Sequence, residues 1–261
     1  MTTDSSCRVE VDGRIAHLVL DRPPVNALNV AFYEELIESL GDLSRRADIC
    51  VVLLRSGHDG IFSAGADIKE LRTVVDAGDR DADERRQHFA RSAYDTLMNL
   101  NKPTIAVVNG PAIGGGAVLA ACCDLRIGSA RTTFHLPEVN IVRCGGARHY
   151  MRLLPQGVLR QMYFTGRPLT AHDSHRFGLL NDVVEQGEEL HRALELAEEI
   201  ATKSPLALRT AKEALNAIEE LSVLDGYALE QSYSVALGRS ADAKEAAAAF
   251  LEKRPPAWTG V

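Results

Sequence analysis

The sequence predicts an α/β fold with a helical C-terminal region, and three observations support this prediction. Residues 49–54 are a continuous apolar run, too short for a helix and typical of a strand that is covered on both faces, and residues 104–109 predict a second buried strand. Helical segments alternate with strands throughout residues 49–128, as in an α/β core. From residue 170 onward, helical periodicity dominates, and the outer faces of these helices carry Glu and Lys.

The segment before this core predicts a strand pair and a helix. Residues 9–20 are two strands joined at Asp12-Gly13, because both positions of such a turn tolerate a positive φ. Asn29 is a favourable N-cap residue, so a helix is expected to begin near it. Residues 1–8 are predicted to form a disordered tail.

The chain is therefore divided into three parts. The tail is followed by an α/β core at residues 9–187 and a helical region at residues 188–261. The helical region is expected to pack on the core or on another subunit. Residues 72–87 are crowded with charge, which is typical of a solvated helix or a mobile loop, with a lid over a nearby site as the alternative.

Composition limits the classes of partner and compartment. Apolar residues make up 46% of the chain and charged residues 25%, which is ordinary for a globular protein, and no apolar run is long enough to span a membrane. The net charge of −7 argues against nucleic acid or an anionic membrane as the main partner. The chain has five cysteines: Cys7, Cys50, Cys122, Cys123 and Cys144. Because their number is odd and none forms a C-x-x-C pair, a reducing cytoplasm is the expected compartment.

Two glycine-bearing turns, at residues 62–67 and 113–117, each lie between a predicted strand and a predicted helix. The first N–H groups of a helix have no partner within it, so two such turns facing each other would form a hole for an oxyanion. Neither turn has the spacing of a dinucleotide-binding or phosphate-binding loop. The alternative is that the glycines only permit tight packing.

A glutamate in an apolar setting, Glu138, follows Pro137. It is a candidate acid or base, although it could instead form a salt bridge with Arg143 or Arg148, which are near in sequence. The loops expected at residues 68–92 and 139–149 are predicted to line the pocket that this residue would serve.

The order and spacing of these motifs resemble those of the crotonase superfamily, the enoyl-CoA hydratase/isomerase family. The resemblance covers nearly the whole chain and is carried by residues 22–29, 62–69, 109–116, 124–127, 134–138 and 250–254. It implies an acyl-CoA enzyme of fatty acid or lipid metabolism, folded as a spiral of ββα units with a helical C-terminal region. It also implies a homotrimer or a dimer of trimers.

The resemblance assigns roles to individual residues. The backbone N–H groups of Ala66 and Gly115 would hold the thioester oxygen and stabilise an enolate, and Glu138 would be the acid and base. No metal or redox cofactor is implied, because coenzyme A arrives as part of the substrate. The residues implied for substrate and coenzyme A binding are Asn26, Ala27, Leu28, Ala64, Asp67, Ile68, Lys69, Gly114, Phe250 and Lys253. Of these, Phe250 and Lys253 would reach the ligand of a neighbouring subunit.

The chain departs from the family pattern at two places. Hydratases of the family carry a second glutamate where this chain has Val118, so only one carboxylate remains to move protons. The segment after Glu138 carries Arg143, Cys144 and His149, which are candidates for an acyl pocket. The alternatives are purely structural roles: an arginine in an ion pair, a cysteine that fills space and a histidine bonded to backbone.

Three functions follow from this pattern. The first is isomerisation or hydration of an enoyl-CoA with a single glutamate. The second is hydrolysis or C–C cleavage of a cyclic β-keto acyl-CoA, as in steroid or ring catabolism. The third is non-catalytic binding of acyl-CoA.

Overall fold

A six-stranded sheet organises the computed structural model, which describes residues 5–260. The strands are β1 (Cys7–Asp12), β2 (Ile15–Leu20), β3 (Ala27–Leu28), β4 (Val51–Ser56), β5 (Gly65–Ala66), β6 (Thr104–Val108), β7 (Pro111–Ile113), β8 (Leu125–Ser129), β9 (Thr133–His135), β10 (Leu169–Thr170) and β11 (Asp182–Val184).

Helices connect and cover these strands. They are α1 (Val30–Arg45), α2 (Ile68–Ala77), α3 (Arg80–Met98), α4 (Gly115–Cys122), α5 (Ala147–Met151), α6 (Gln156–Thr165), α7 (Ala171–Arg176), α8 (Glu189–Ala201), α9 (Pro205–Ile218), α10 (Val223–Leu237) and α11 (Ala241–Glu252). A single 3₁₀ turn spans Glu138–Ile141 in the described chain. Within residues 5–260, no helix combines the length and apolar character needed to cross a bilayer.

The large sheet has the strand order β1-β2-β4-β6-β8-β11, and only the β1–β2 pair is antiparallel. Two smaller sheets, β10-β9-β7 and β3-β5, stand beside it. Side chains of β4 alternate between two cores: Val52 and Leu54 face one cluster, and Val51 and Leu53 face the other. Burial on both faces explains the continuous apolar run and confirms the predicted α/β core.

The first hairpin differs from the prediction by one residue. Asp12 pairs with Ile15, so the two-residue loop is Gly13-Arg14 and not Asp12-Gly13. Only Gly13 has a positive φ, +54°, as a turn with glycine at its first central position requires. Strand β1 already begins at Cys7, inside the segment predicted as a tail, because Cys7 pairs with Leu20; residues 1–4 lie outside the described residues.

Helix α8 covers the second face of the large sheet. Its Ala193 and Ala197 are fully buried against β-strand side chains that include Val51 and Ile127. The predicted division at residue 188 therefore separates a core helix from the sheet on which it packs. Helix α9 is joined to the core by contacts such as the ion pair of buried Lys212 with the more exposed Asp124.

Helix boundaries follow local capping. Asn29 caps α1 as predicted, accepting a hydrogen bond from the Phe32 amide at 2.9 Å. Asp67 and Asp79 cap α2 and α3 in the same way. Residues 68–92, expected as a loop, are therefore almost entirely helical, and most of the charged segment 72–87 lies on the exposed surface of two helices.

Candidate active site

A cavity of about 390 Å³ lies between the two glycine turns, helix α3 and the segment that follows Pro137. One side is formed by Ala66, Gly114 and Gly115, which we call the backbone floor. Other parts of the lining are formed by side chains that we call the polar wall: Arg86, Tyr94, Arg143, Cys144 and His149. Glu138 also lines the cavity. The structure thus brings the three residues predicted as catalytic, Ala66, Gly115 and Glu138, to one cavity.

Close backbone approach holds the two turns together. The Ile113 amide donates to the Ser63 carbonyl at 2.9 Å, so the first turn is hydrogen-bonded to β7. A Cβ on Gly65 would lie 2.4 Å from the Ile113 oxygen and 3.1 Å from the Gly115 nitrogen, and its φ of +77° already excludes most other residues. The glycine is therefore required for the turns to face each other.

The floor presents backbone donors because of how α4 begins. Gly115 is the first residue of α4, so its N–H has no acceptor within the helix and carries part of the helix dipole. Gly114, with a φ of +51°, redirects the chain from β7 into α4. Ala66 ends β5 directly before Asp67, which caps α2. A carbonyl oxygen placed between Ala66 and Gly115 would meet positive partial charge from both turns.

Glu138 lies directly over this floor. Its Oε1 is 3.0 Å from the place that a Cβ on Gly114 would occupy, and its Oε2 is buried without a hydrogen-bond partner among the described residues. The arginines considered as ion-pair partners are engaged elsewhere, Arg143 with Asp83 and Arg148 with Glu220. Burial raises the pKa of Glu138 above its ordinary value. An unpaired carboxyl with a raised pKa is suited to accepting and returning a proton.

Val118 lines the cavity and stands where the family resemblance places a second glutamate. It is buried, and its Cγ2 is 2.6 Å from the site that a Cβ on Gly146 would take. Helix α4 is apolar throughout its length, so no side chain from it can move a proton. Glu138 is the carboxylate that contacts the floor, at Gly114, and Asp95 also lines the cavity.

The polar wall is held by an ion-pair cluster at its outer edge. Arg143 reaches from the segment after Glu138 to helix α3, where it pairs with Asp83. Arg86 donates from Nη2 to the other oxygen of Asp83 at 3.2 Å. The two guanidinium groups hold the pKa of Asp83 below its ordinary range, Arg143 most strongly. Two cations therefore share one carboxylate beside the cavity.

The inner part of the wall consists of rings. The hydroxyls of Tyr33 and Tyr94 are 3.0 Å apart, and both lie beside Gly115. Burial raises the pKa of Tyr33 to about 12. His149 packs edge-on against Tyr94, with ring centroids 5.7 Å apart, and its Nδ1 is buried without a partner among the described residues. The alternative of a histidine bonded to backbone remains a prediction.

Burial first, and the nearby Arg152 second, lower the pKa of His149. The uncharged imidazole is therefore favoured near neutral pH. The exposed Cys144 completes the wall. All four residues predicted for an acyl pocket line the cavity: Val118, Arg143, Cys144 and His149.

Seven of the residues predicted to bind substrate and coenzyme A divide into three groups. Ala64, Ile68 and Gly114 line the cavity. Asp67 and the exposed Lys69 lie at the start of α2, where the Asp67 side chain pairs with Arg22. Phe250 and Lys253 lie at the end of α11 and are not among the residues that line the cavity of their own chain.

The prediction that Asn26 and Leu28 line the ligand path is contradicted, because neither has exposed surface. The Asn26 amide donates to Ser56 Oγ at 2.8 Å and to the Phe62 carbonyl at 3.0 Å. It therefore fixes the turn that precedes β3. Leu28 packs behind Gly115, and neighbouring Ala27 uses its carbonyl to accept from Arg22.

The sequence did not single out three residues of the wall region, Tyr33, Arg86 and Tyr94, although Arg86 lies within residues 68–92, which were predicted to line the pocket. Tyr33 lies on α1, and Arg86 and Tyr94 lie on α3. Only the structure distinguishes Arg86 from the other arginines of this helix, because Arg86 is 7% exposed whereas Arg85 and Arg91 are exposed.

Comparisons with known proteins agree with this geometry. The family model of enoyl-CoA hydratase/isomerase matches residues 10–261. A probable mitochondrial enoyl-CoA hydratase 2 of Arabidopsis thaliana is 34% identical, over 95% of this chain and 83% of that protein. A carnitinyl-CoA dehydratase of Proteus mirabilis is also 34% identical, over 98% of both chains. The crystal structure of an enoyl-CoA hydratase from Bacillus anthracis superposes with a TM-score of 0.93 at 29% identity, covering 98% of this chain and 100% of that one.

Proposed function

Because the chain belongs to the enoyl-CoA hydratase/isomerase family and is an acyl-CoA enzyme with the crotonase fold, we propose that it works through a thioester enolate. The N–H groups of Ala66 and Gly115 hold the enolate oxygen, and Glu138 is the single acid and base. The observation that carries this proposal is the position of Glu138: its carboxylate is unpaired and lies over the floor, 3.0 Å from a Cβ site on Gly114.

A single carboxylate suits proton transfer within one substrate. In isomerisation, Glu138 removes a proton from one carbon of the acyl chain, and the floor stabilises the resulting enolate. The same carboxyl then returns the proton to another carbon, so the double bond moves and nothing is consumed. In hydration, Glu138 takes a proton from water as the hydroxyl adds and delivers that proton to the α-carbon. Neither route uses a metal or a redox cofactor.

A second candidate is water attack on a cyclic β-keto acyl-CoA with C–C cleavage. The polar wall favours it, since Arg86, Arg143 and His149 are unusual surroundings for a plain alkyl chain. Glu138 would then remove a proton from the attacking water, and the released carbanion would be the enolate held by the floor. Both candidates use the same floor and the same glutamate, but they differ in the acyl group.

The decisive experiment compares wild type with Glu138→Gln on crotonyl-CoA, a 3-enoyl-CoA and a cyclic β-keto acyl-CoA. We expect one of these to be turned over and the variant to lose about 10²–10⁴-fold in kcat, with binding changed little. The substrate that is consumed identifies the reaction. Turnover unaffected by Glu138→Gln would remove the catalytic assignment, and binding without turnover of any substrate would indicate an acyl-CoA binder.

We also propose that the enzyme assembles as a homotrimer or a dimer of trimers. Large apolar side chains on α10 and α11 support this, since Val223 is 87% exposed and Phe250 83%. Assembly would bring Phe250 and Lys253 to the ligand of a neighbouring subunit. Sedimentation of the purified chain as a monomer at micromolar concentration would contradict this proposal.

We place the enzyme in the cytoplasm. All five cysteines are free, and four of them are buried, as expected in a reducing compartment. Fractionation of the producing cell, with detection of the chain in a compartment other than the cytoplasm, would overturn the assignment.

A further inference from the structure

Arg86 is a buried cation that the proposed reaction does not use. It is only 7% exposed, yet it lines the cavity that contains Glu138. Among the described residues, its Nε is buried without a hydrogen-bond partner, and its Nη2 donates to Asp83. Burying a guanidinium with unsatisfied donors is costly, so the position calls for an additional acceptor.

The charges around Arg86 do not supply that acceptor. Asp83 is its ion-pair partner, but this carboxylate also pairs with Arg143. Glu70 is another carboxylate near Tyr33; its Oε1 accepts from the Val30 amide, and its Oε2 is buried without a hydrogen-bond partner among the described residues. Within residues 5–260, Glu70 forms no ion pair with Arg86 at salt-bridge distance. Asp83 is thus shared by two guanidinium groups, which leaves the cluster of Arg86, Asp83 and Arg143 with one net positive charge.

We propose that Arg86, with Arg143, binds a carboxylate carried on the acyl group of the substrate. A carboxylate would accept hydrogen bonds from the free guanidinium donors and neutralise the excess charge. The inference rests on the proposed function, because it places the thioester oxygen on the floor and the acyl group toward the wall. The substrate class is then an acyl-CoA whose acyl moiety is itself a carboxylic acid.

Apolar residues between the floor and the arginines suit the rest of such an acyl group. Leu71, Ala90 and Val118 line the same cavity, so a short hydrocarbon spacer would be buried against them. A substrate with an uncharged terminus would fit this spacer region but would leave the guanidinium donors unpaired. Discrimination against it comes from that unpaired cation.

Binding of saturated thioesters tests the inference without requiring turnover. Two pairs are compared by calorimetry: adipoyl-CoA with hexanoyl-CoA, and succinyl-CoA with butyryl-CoA. Wild type is expected to bind the carboxylate member of at least one pair about tenfold or more tightly. Arg86→Met should abolish this preference. Arg85→Met is the matched control, since Arg85 is exposed on the same helix outside the cavity and should leave the preference intact.

A second variant keeps the test informative if Arg86→Met fails to fold. Arg143→Met leaves Asp83 to pair with Arg86 alone, so it should also reduce the preference for a carboxylate. No preference in wild type for either pair would overturn the inference. Equal weakening of both members of a pair by Arg86→Met would also overturn it, because Arg86 would then act on coenzyme A or on the fold.

The outcome separates this inference from the proposed function. The thioesters could bind with the expected preference while no enoyl-CoA or cyclic substrate is consumed. That result would support the carboxylate site at Arg86 and Arg143 and would contradict the catalytic proposal. Turnover of a substrate without any preference for a carboxylate would support the catalytic proposal and would contradict the carboxylate site. Failure of every thioester to bind would overturn both.

Discussion

The backbone floor and the polar wall line one cavity but are built in opposite ways. The floor (Ala66, Gly114 and Gly115) presents main-chain groups whose positions are fixed by two turns and a helix start. The wall presents side chains from α3 and from residues 143–149, held by an ion-pair cluster and by ring packing. The floor therefore suits a chemical step common to many thioesters, whereas the wall suits the choice of acyl group.

This difference implies different responses to substitution. A change in the floor alters the geometry of backbone donors, which no neighbouring side chain can replace, so every substrate is affected. A change in the wall alters one contact and leaves the oxyanion site in place. Effects on turnover should therefore be largest at the floor, and effects on substrate preference should be largest at the wall.

The strongest test of the floor is Gly65→Ala. The added methyl would lie 2.4 Å from the Ile113 oxygen, at a φ of +77°, so the two turns must move apart. We expect kcat/KM to fall about 10²–10³-fold for every thioester that is turned over, as for loss of one oxyanion donor. Steady-state kinetics on at least two acyl groups measures this. A loss confined to one acyl group would contradict the assignment of the floor.

Gly178→Ala is the matched control for backbone strain. Gly178 has a similar φ of +81°, but a Cβ there meets nothing within 4 Å and the residue is remote from the cavity lining. The unfolding free energy should fall by about 1 kcal/mol, with unchanged kcat/KM. Loss of activity in the control would show that global stability, and not the floor, accounts for the effect of Gly65→Ala.

A smaller effect is expected at Val118, where helix α4 meets the segment after Glu138. Val118→Glu restores a second carboxylate in the cavity, and hydration of crotonyl-CoA should rise about tenfold if its absence limits that reaction. The carboxyl would be buried beside Gly146, so stability should fall by about 1–3 kcal/mol. Unchanged hydration by a folded variant would show that water is activated without a second carboxylate.

The smallest expected effect is a displaced pH profile. Glu138 acts as a base only when ionised, so kcat/KM should rise with pH through its pKa. Because burial raises the pKa of Glu138, the midpoint should lie above the ordinary value of about 4.3. Kinetics between about pH 4 and about pH 8 locate the midpoint. A midpoint at or below the ordinary value would contradict the buried, unpaired carboxyl.

The same pKa shift has a consequence for stability with a defined sign. A folded-state pKa above the unfolded value means that Glu138 favours folding in its protonated form, and this contribution is lost as pH rises through the folded pKa. Glu138→Gln keeps the neutral form at all pH values. Its unfolding free energy should therefore match that of wild type at low pH and equal or exceed it near neutral pH.

The floor was predictable because its signals are local. Glycine at 65 and 114 is required by positive φ, and the turns that contain these residues follow apolar strands that are recognisable by pattern. The order and spacing of the motifs then resembled those of a known family, and this resemblance assigned roles to Ala66, Gly115 and Glu138. Errors occurred where tertiary packing decides: Asn26 and Leu28 were expected at the ligand path but are fully buried.

The sequence by itself determined the α/β core, the capped helices, the two glycine turns and the single glutamate, because each depends on local backbone preferences and apolar periodicity. Only the tertiary structure decided which side chains meet across the cavity. Arg143 and Asp83 are sixty positions apart in the chain, and Tyr33 and Tyr94 sixty-one. Such pairs carry no local signal, since they form only when α1, α3 and the segment after Glu138 pack around α4. The polar wall, and with it the proposed acyl-group preference, is a property of the packed chain.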